Sequence, residues 1–531
     1  MIKKSLTLII FALGISCSTY AQQEASFYKK YAEKGDKEAM YNLANCYLKG
    51  NGGVQQDYNE ATMWLTKASK KKYAPAQVSL AYCYLYGAGV MKDYAKTWEL
   101  ANKAANQNHA GAHYLLAQMY KEGIYVSQNE SLYLKYLYSS ANLGDDDGQV
   151  ELGRLILYGN EKPYVAQNTR EGLNLYQKAA EQGNGEALLQ LGCIYRDGLE
   201  GYITKDQQKG YQYLEAAANT GLARALFEYG YVKLNGWGCE ADPSEAVRYI
   251  SAAAEQNVPN AYKVMGDICY YGLGVETNYA DAAKWYQKAV DEGYGNAYSQ
   301  LAWMYLVGQG IEENESKGYQ LYSQAAEAGY PEGYAGLGMC YENGYGVTKN
   351  MSNAVSNYKK AAELNNDYSL HRLYALYRSG DGVAKDTQVA IQYLRQAVDN
   401  GSTNAMYSLG YEYLVGEILH QENSSALEYI TKSADGGYAF ACAVLGTFYY
   451  DGGPLVDKDF NQAFKYLSAA ASQSSSVGND DLLAVVYKDL GACYRFGRGT
   501  EADQSLASYY TEQAAKYGDT KSLDAVKMLR K

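Results

Sequence analysis

The apolar and polar positions of this chain recur with a nearly fixed step. Counting from a small residue at Ala39, further copies begin at Ala76, Ala112, Gly148, Ala187, Ala225, Ala261, Ala297, Gly333, Ser369, Ala405, Ala441 and Val486, with a partial copy at Ser522. Nine of the thirteen intervals are 36 residues, and the others are 37, 39, 38 and 45. The fourth residue after the start is leucine in eleven copies, and the eighth is tyrosine in ten. Residues four apart share a helical face, so start, +4 and +8 describe the buried stripe of a short helix. A glycine follows at +11 in every copy: Gly50, Gly87, Gly123, Gly159, Gly198, Gly236, Gly272, Gly308, Gly344, Gly380, Gly416, Gly452 and Gly497. Helices commonly close on a left-handed residue, which only glycine adopts without strain, so this position reads as a helix stop.

A second helix in each copy is announced by its cap. Asp57, Asp93, Asn129, Asp242, Asn278, Asn314, Asn350, Asp386 and Asp503 occupy one register, where a short oxygen side chain accepts orphan N–H groups. Asp242-Pro243-Ser244-Glu245 adds proline at the first helical position and glutamate at the third. The body then reads like Ala282-Ala283-Lys284-Trp285-Tyr286-Gln287-Lys288-Ala289. Sustained β-branched alternation is absent. The pattern predicts an all-α chain of two short antiparallel helices per copy, the architecture that periods of this size mark.

The recurring pattern A-x-x-x-L-G-x-x-Y-x-x-G-x-G-V…K-A-x-x-W-x-x-K-A-A-E-x-G resembles the Sel-1-like repeat, a relative of the tetratricopeptide repeat. Ala261–Gly293 and Ala297–Gly329 match it closely, whereas the copies at Gly148 and Ala187 carry altered loops. The resemblance implies a right-handed α/α superhelical solenoid of about thirteen two-helix repeats with capping helices, acting as an adaptor or scaffold for proteins. The expected division is a signal peptide at 1–21, an N-terminal capping helix at 22–38, repeats over 39–521 and a C-terminal capping helix at 522–531. The ten-residue insertion Ser472–Asp481 in the longest copy is expected to be a mobile loop.

The N-terminal segment changes the picture of location. Lys3-Lys4, the apolar run Leu6–Ile15 and small residues ending at Ala21 read as a secretory signal, which makes the chain an exported, periplasmic protein. Lipidation at Cys17 is a weaker alternative, because Gly14-Ile15-Ser16-Cys17 lacks the large aliphatic residue usual three positions before the cysteine. No later apolar run is long enough to cross a membrane. Cys46, Cys83, Cys340 and Cys493 sit beside the +8 residue, where equivalent positions lie about one repeat step apart, beyond the ~7 Å that a disulfide spans. They read as buried thiols, and Cys239 as the exposed one.

The formal charge of −11 and a pI near 5.1 argue against nucleic acid or anionic lipid as the main partner, since no basic stripe is visible. No cofactor or metal is implied. Ser26/Lys29, Ser69/Lys72 and Ser356/Lys359 match the S-x-x-K acylating motif, but no S-D-N or K-T-G follows, so a cell-wall or β-lactam hydrolase is a distant alternative. His109 and His113 are four apart, yet Gly111 and the helix start at Ala112 put His109 in the preceding turn.

Tyrosine is unusually abundant, at 59 residues. About half pack at +8 and in the second helix. Others fall at +2, +6 and +9, where the resemblance places the concave face: Tyr41, Tyr82, Tyr114, Phe227, Tyr231, Trp303, Tyr407 and Tyr411, joined by Arg154, Arg196, Arg378 and Arg495. Aromatics and arginine dominate binding hot spots. These residues are the candidate groove for a protein or peptide partner in the cell envelope. An envelope glycan or peptidoglycan stacked on the same rings is the alternative.

Overall fold

The computed structural model describes residues 24–159, 168–453 and 455–518. The signal segment, Cys17 and the expected C-terminal cap at 522–531 lie outside the described residues. Within them are twenty-eight α-helices and no strand, apart from one bridge between Leu199 and Ile203. The chain forms two compact units, one ending at Glu292 and one beginning at Gly293.

Both units are built by the same local rules. A lone helix, Glu24–Ala32, precedes the first repeat and docks on it through Ala25 and Ala32, with the Ala25 N–H donating to the Gly52 carbonyl at 3.0 Å. Each repeat then pairs a first helix with an antiparallel second one, as in Lys37–Lys49 with Tyr58–Lys70 or Gly295–Val307 with Glu315–Glu327. All nine sequence-predicted cap residues are N-caps whose side chains accept from the second or third N–H. Their own backbone also closes the connecting loop. The Asp93, Asn314 and Asn350 N–H groups donate to the +8 carbonyls of Tyr84, Tyr305 and Tyr341 at 2.8–3.0 Å.

In the first unit, Leu43, Trp64, Leu65 and Leu80 join two repeats in one cluster. In the second, Tyr358, Leu370, Leu373, Leu394 and Leu409 do the same work. Within each unit, a first helix packs on its own second helix and on the second helix that precedes it in that unit, so neighbouring repeats of a unit share a core.

Ten of the thirteen +11 glycines take the expected left-handed conformation. Gly159, Gly198 and Gly452 do not. Their φ is positive but ψ is near 165°, which turns the chain into extended backbone. Gly159 and Gly198 stand nine and eight positions before the next cap instead of six, but Gly452, seven before Asp459, differs from Gly50, which is seven before Asp57 and stays left-handed.

A second glycine, at +13, holds the repeats together. Gly89, Gly238, Gly274, Gly346 and Gly499 all have positive φ and abut the opening backbone of the preceding second helix, where an added Cβ would overlap it. Tyr125 stands at +13 in the third repeat with φ of 67°, 58% exposed, its ring 6.4 Å from Trp98.

The insertion Ser472–Asp481 is not an unstructured loop. It contains a helical turn, Ser474–Val477, with Val477 buried in the second unit's core, and Asn479 caps a lengthened first helix, Asp480–Phe496. One apolar side chain in the insertion is enough to dock it.

Candidate functional site

Within a unit, second helices cover a first helix on two sides and leave one stripe open; Gly295–Val307 opens the second unit and packs on Glu315–Glu327 and Pro331–Asn343. Burial of the start and +4 positions, and of +7 in most copies, leaves −1, +6 and +10 on the open stripe; +3 joins it in some copies but is buried at Leu115, Glu151, Val264, Gly336 and Asp489. Large apolar residues that stay exposed on the repeats' first helices fall only on this stripe. They are Tyr158, Tyr271, Val307, Val415 and Phe496 at +10, Trp303 and Tyr411 at +6, and Tyr368 at −1. Val307 sits one turn beyond Trp303, and Val415 one turn beyond Tyr411, so each pair forms a short apolar ridge. The +10 residues are a part of this surface that the sequence reading missed. Their signal was present as the i+4 neighbour of +6.

The sequence candidates divide into ridge and rung. In the first unit, Arg154 is exposed. Tyr41 is half-buried edge-on to Tyr73 at 5.6 Å, and Tyr82 stacks on Tyr86 at 6.3 Å. Phe227 is buried at 8%, stacked on Tyr231, whose ring meets Trp237 edge-on at 5.4 Å. Arg196 lies 5.8 Å over Trp237 and pairs with Asp197 at 2.7 Å and with Glu228 of the next repeat at 2.6 Å. In the second unit, Trp303 is 40% and Tyr411 42% exposed. Tyr407 is half-buried against Tyr411, Tyr438 and Phe440. Arg378 pairs with Glu412 of the next repeat at 2.7 Å and with Glu417 at 2.6 Å, and Arg495 is half-buried.

Buried carboxylates are the hubs of these rungs. Glu151 receives Tyr114 Oη at 3.0 Å, Gln118 Nε2 at 2.5 Å, Lys121 Nζ at 2.6 Å and Tyr133 Oη at 2.7 Å. Burial by itself would raise its pKa, but Lys121 and the phenol donors outweigh burial and hold it below the usual carboxylate value. The Tyr114 phenol is pushed up, by burial first and then by the Glu151 charge. Glu342 behaves like Glu151: burial opposes ionisation, and Arg372 and Tyr358, whose Oη donates at 2.7 Å, reverse it. Glu412, fully buried, accepts from Tyr374 and Arg378. Tyr114, Arg196 and Arg378, which looked like groove residues, are thus spent on joining one first helix to the next, whereas Tyr41, Tyr82, Tyr231 and Tyr407 pack against neighbouring rings. Arg154, Trp303 and Tyr411 remain available to a partner.

Groups that could do chemistry are dispersed. Among the described residues no cluster of three or more His, Cys, Asp and Glu side chains has the arrangement to hold a metal. His109 is the N-cap of Ala110–Glu122, and burial lowers the pKa of both His109 and His113. All eight described cysteines are free thiols. Burial pushes Cys46 up to about 11 and Cys83 to about 12. Cys239 is half-buried, packed against the core cluster that holds Tyr229 and Val232. Ser356 is exposed, and the Lys359 ammonium beside it lies 5.5 Å over the Tyr377 ring. Two open depressions, about 670 Å³ beside Trp98 and Tyr125 and about 630 Å³ beside Tyr195 and Tyr202, lie by second helices and loops. No described helix is long and apolar enough to cross a membrane.

Comparison with known proteins places this geometry. The family model described as Sel1 repeat matches residues 37–73, 74–109, 110–145, 146–184, 185–222, 223–258, 259–294, 295–330, 331–366, 371–402, 403–438, 439–475 and 487–519. The chitin synthase regulator SKT5 of Saccharomyces cerevisiae is 26% identical over 266 residues, covering 42% of this chain and 38% of that protein. Chitin synthase regulatory factor 3 of Schizosaccharomyces pombe is 29% identical over 42% of this chain and 20% of its own length. This chain therefore spans well under half of either regulator. A solved structure of c5321, a protective antigen of uropathogenic Escherichia coli with an SLR fold, aligns over 95% of this chain and 97% of its own, with a TM-score of 0.55 and 23% identity, and shares the fold.

Proposed function

The chain belongs to the Sel1 repeat family, and from that premise we propose that it is an exported, non-catalytic scaffold that holds a protein or peptide partner along the open stripe of its first helices. The observation that carries this reading is the stripe itself. Exposed aromatic and aliphatic side chains stand there on a frame in which Tyr114, Arg196 and Arg378 are engaged in inter-repeat rungs. Anchors of that kind bind with little loss of side-chain entropy. The relatives named as chitin synthase regulators support a role exerted on another protein rather than on a small substrate.

Affinity capture from the cell envelope tests the proposal, using wild type beside a Trp303→Ala/Tyr368→Ala/Tyr411→Ala variant. A defined protein retained by wild type and lost by the variant is expected. Retention of envelope glycan instead, lost on the same substitutions, would replace the protein partner by a polysaccharide. Identical capture by both baits would remove the stripe from the function.

A further inference from the structure

Charge is distributed unevenly along the repeats. Between Glu24 and Tyr73 the chain carries nine lysines against six carboxylates, whereas from Ala74 onward 37 basic residues face 53 acidic ones. The lone helix Glu24–Ala32 turns Ala25 and Ala32 inward and presents Phe27, 58% exposed, Lys30, Tyr31, 42% exposed, and then Lys34 outward. The spacing of 27, 30, 31 and 34 is one helical stripe continued into the turn. Phe27 and Tyr31 touch, with ring centroids 5.0 Å apart.

The neighbouring turn extends the same surface. The Lys71 ammonium lies against Gly35, 3.4 Å from where a Cβ would stand, and Lys37 Nζ is 5.5 Å from the Tyr73 ring. Lys70, Lys71 and Lys72 are all exposed. The carboxylates facing them are Glu33, Asp36 and Glu38, and Asp36 is engaged in capping the Glu38 and Ala39 N–H groups. Among the described residues, none of Lys30, Lys34, Lys37, Lys70, Lys71 and Lys72 forms an ion pair with a carboxylate.

The turn also holds a lysine where the fold disfavours one. The equivalent left-handed residue between second and first helices is Gly35, Gly144, Gly183, Gly221, Gly293, Gly329, Gly401 and Gly437, or Asn108, Asn257 and Asn365; here it is Lys72, with φ of 56°. Glycine and asparagine reach that region cheaply and lysine does not. Residues kept in strained backbone at a surface point to function rather than to packing.

We propose that this end of the chain docks on the surface of a bilayer containing anionic phospholipid, the lysines on headgroup phosphates and the Phe27–Tyr31 pair at the interface. Basic clusters paired with interfacial aromatics are the chemistry that such surfaces select. A bilayer fits better than a nucleic acid because the aromatic pair protrudes beside the lysines. The first 50 described residues thus carry a basic surface that the average charge of the chain conceals.

Vesicle co-sedimentation with the chain from residue 22 onward, which keeps every core residue described above, tests the proposal. Phosphatidylcholine vesicles carrying phosphatidylglycerol should retain the protein, pure phosphatidylcholine should not, and added salt should release it. Lys34→Gln/Lys70→Gln/Lys71→Gln/Lys72→Gln should lower partitioning on the order of a hundredfold or more, and Phe27→Ser/Tyr31→Ser should weaken it at unchanged charge. Lys92→Gln/Lys178→Gln/Lys349→Gln/Lys458→Gln, the same charge change on exposed sites elsewhere, should leave it intact. Lys72→Gly is the most discriminating single change: it should raise the melting temperature while lowering partitioning about fivefold. Equal loss in the control quadruple variant, or partitioning unaltered by Lys72→Gly and the patch variants, would overturn the proposal. Patch-dependent retention of an oligonucleotide without retention of vesicles would overturn it too.

Discussion

The +13 glycine separates two costs that a repeat protein usually mixes, and Gly344 and Gly346 allow them to be weighed. Both have positive φ, of 87° and 64°. At Gly344 an added Cβ meets nothing nearer than 3.6 Å, so Gly344→Ala carries only the left-handed penalty, about 1–2 kcal/mol. At Gly346 the same Cβ would sit 2.6 Å from the Glu315 carbonyl carbon and closer still to its oxygen. Those atoms are backbone at the start of the preceding second helix, so no rotamer change relieves the overlap. The loop must lift, and the 3.0 Å bond from the Gly346 N–H to the Glu315 carboxylate goes with it. Overpacking of that kind adds about 1–3 kcal/mol, for a total of about 2–5 kcal/mol in Gly346→Ala.

Unfolding of a long repeat array is not strictly two-state, so a global midpoint would dilute the effect. Hydrogen exchange at the backbone amides of 315–319 and 345–349 reports the interface itself. Gly346→Ala should raise exchange there far more than Gly344→Ala does. Equal changes in the two variants would refute the claim that +13 is an inter-repeat spacer. Tyr125 supplies a natural control, because its repeat carries a bulky residue at +13, and Tyr125→Gly should stabilise by about 1 kcal/mol through relief of the left-handed strain.

Other expectations follow from the same physics. Gly308, at φ 64° and ψ 30°, is left-handed, so Gly308→Val should cost a few kcal/mol, about 2–4, and lower the thermal midpoint of its unit. Glu151→Ala strands Lys121 and two phenols in a mostly buried rung and should cost about 2–4 kcal/mol by denaturant titration. Since the folded pKa of Glu151 is lowered, its contribution is present above the unfolded carboxylate value and is lost as pH falls through the folded one. The wild type should therefore lose more stability on acidification than Glu151→Gln. Limited proteolysis should spare Ser472–Asp481, and Val477→Asp, which buries a charge, should open that site to cleavage.

Much of the fold was legible because it is dictated locally. The period, the Asp/Asn caps and the +4 leucines each act within one helix, so the residues at Asp57, Asn314 or Leu301 declare their roles without reference to distant chain. Gly159, Gly198 and Gly452 were misread for a related reason. Their register is that of the other glycines, and the difference in ψ is not written in that register. The binding surface was less legible, because its arginines and phenols have partners 30–38 residues away. Nothing near Arg378 identifies Glu412 as its mate, and nothing near Tyr114 marks Glu151. Lys72 was equally hidden: its strain shows only when its φ is set beside those of the other inter-repeat turns.

Site-specific photo-crosslinking in intact cells tests the central claim most directly. A photoreactive residue at Val307 or Val415, on the open stripe, is compared with one at Gln320 or Gln392, exposed on the second helices of the same unit. The scaffold account predicts one defined protein adduct from the stripe positions and none from the second helices. Adducts confined to the second helices would contradict it.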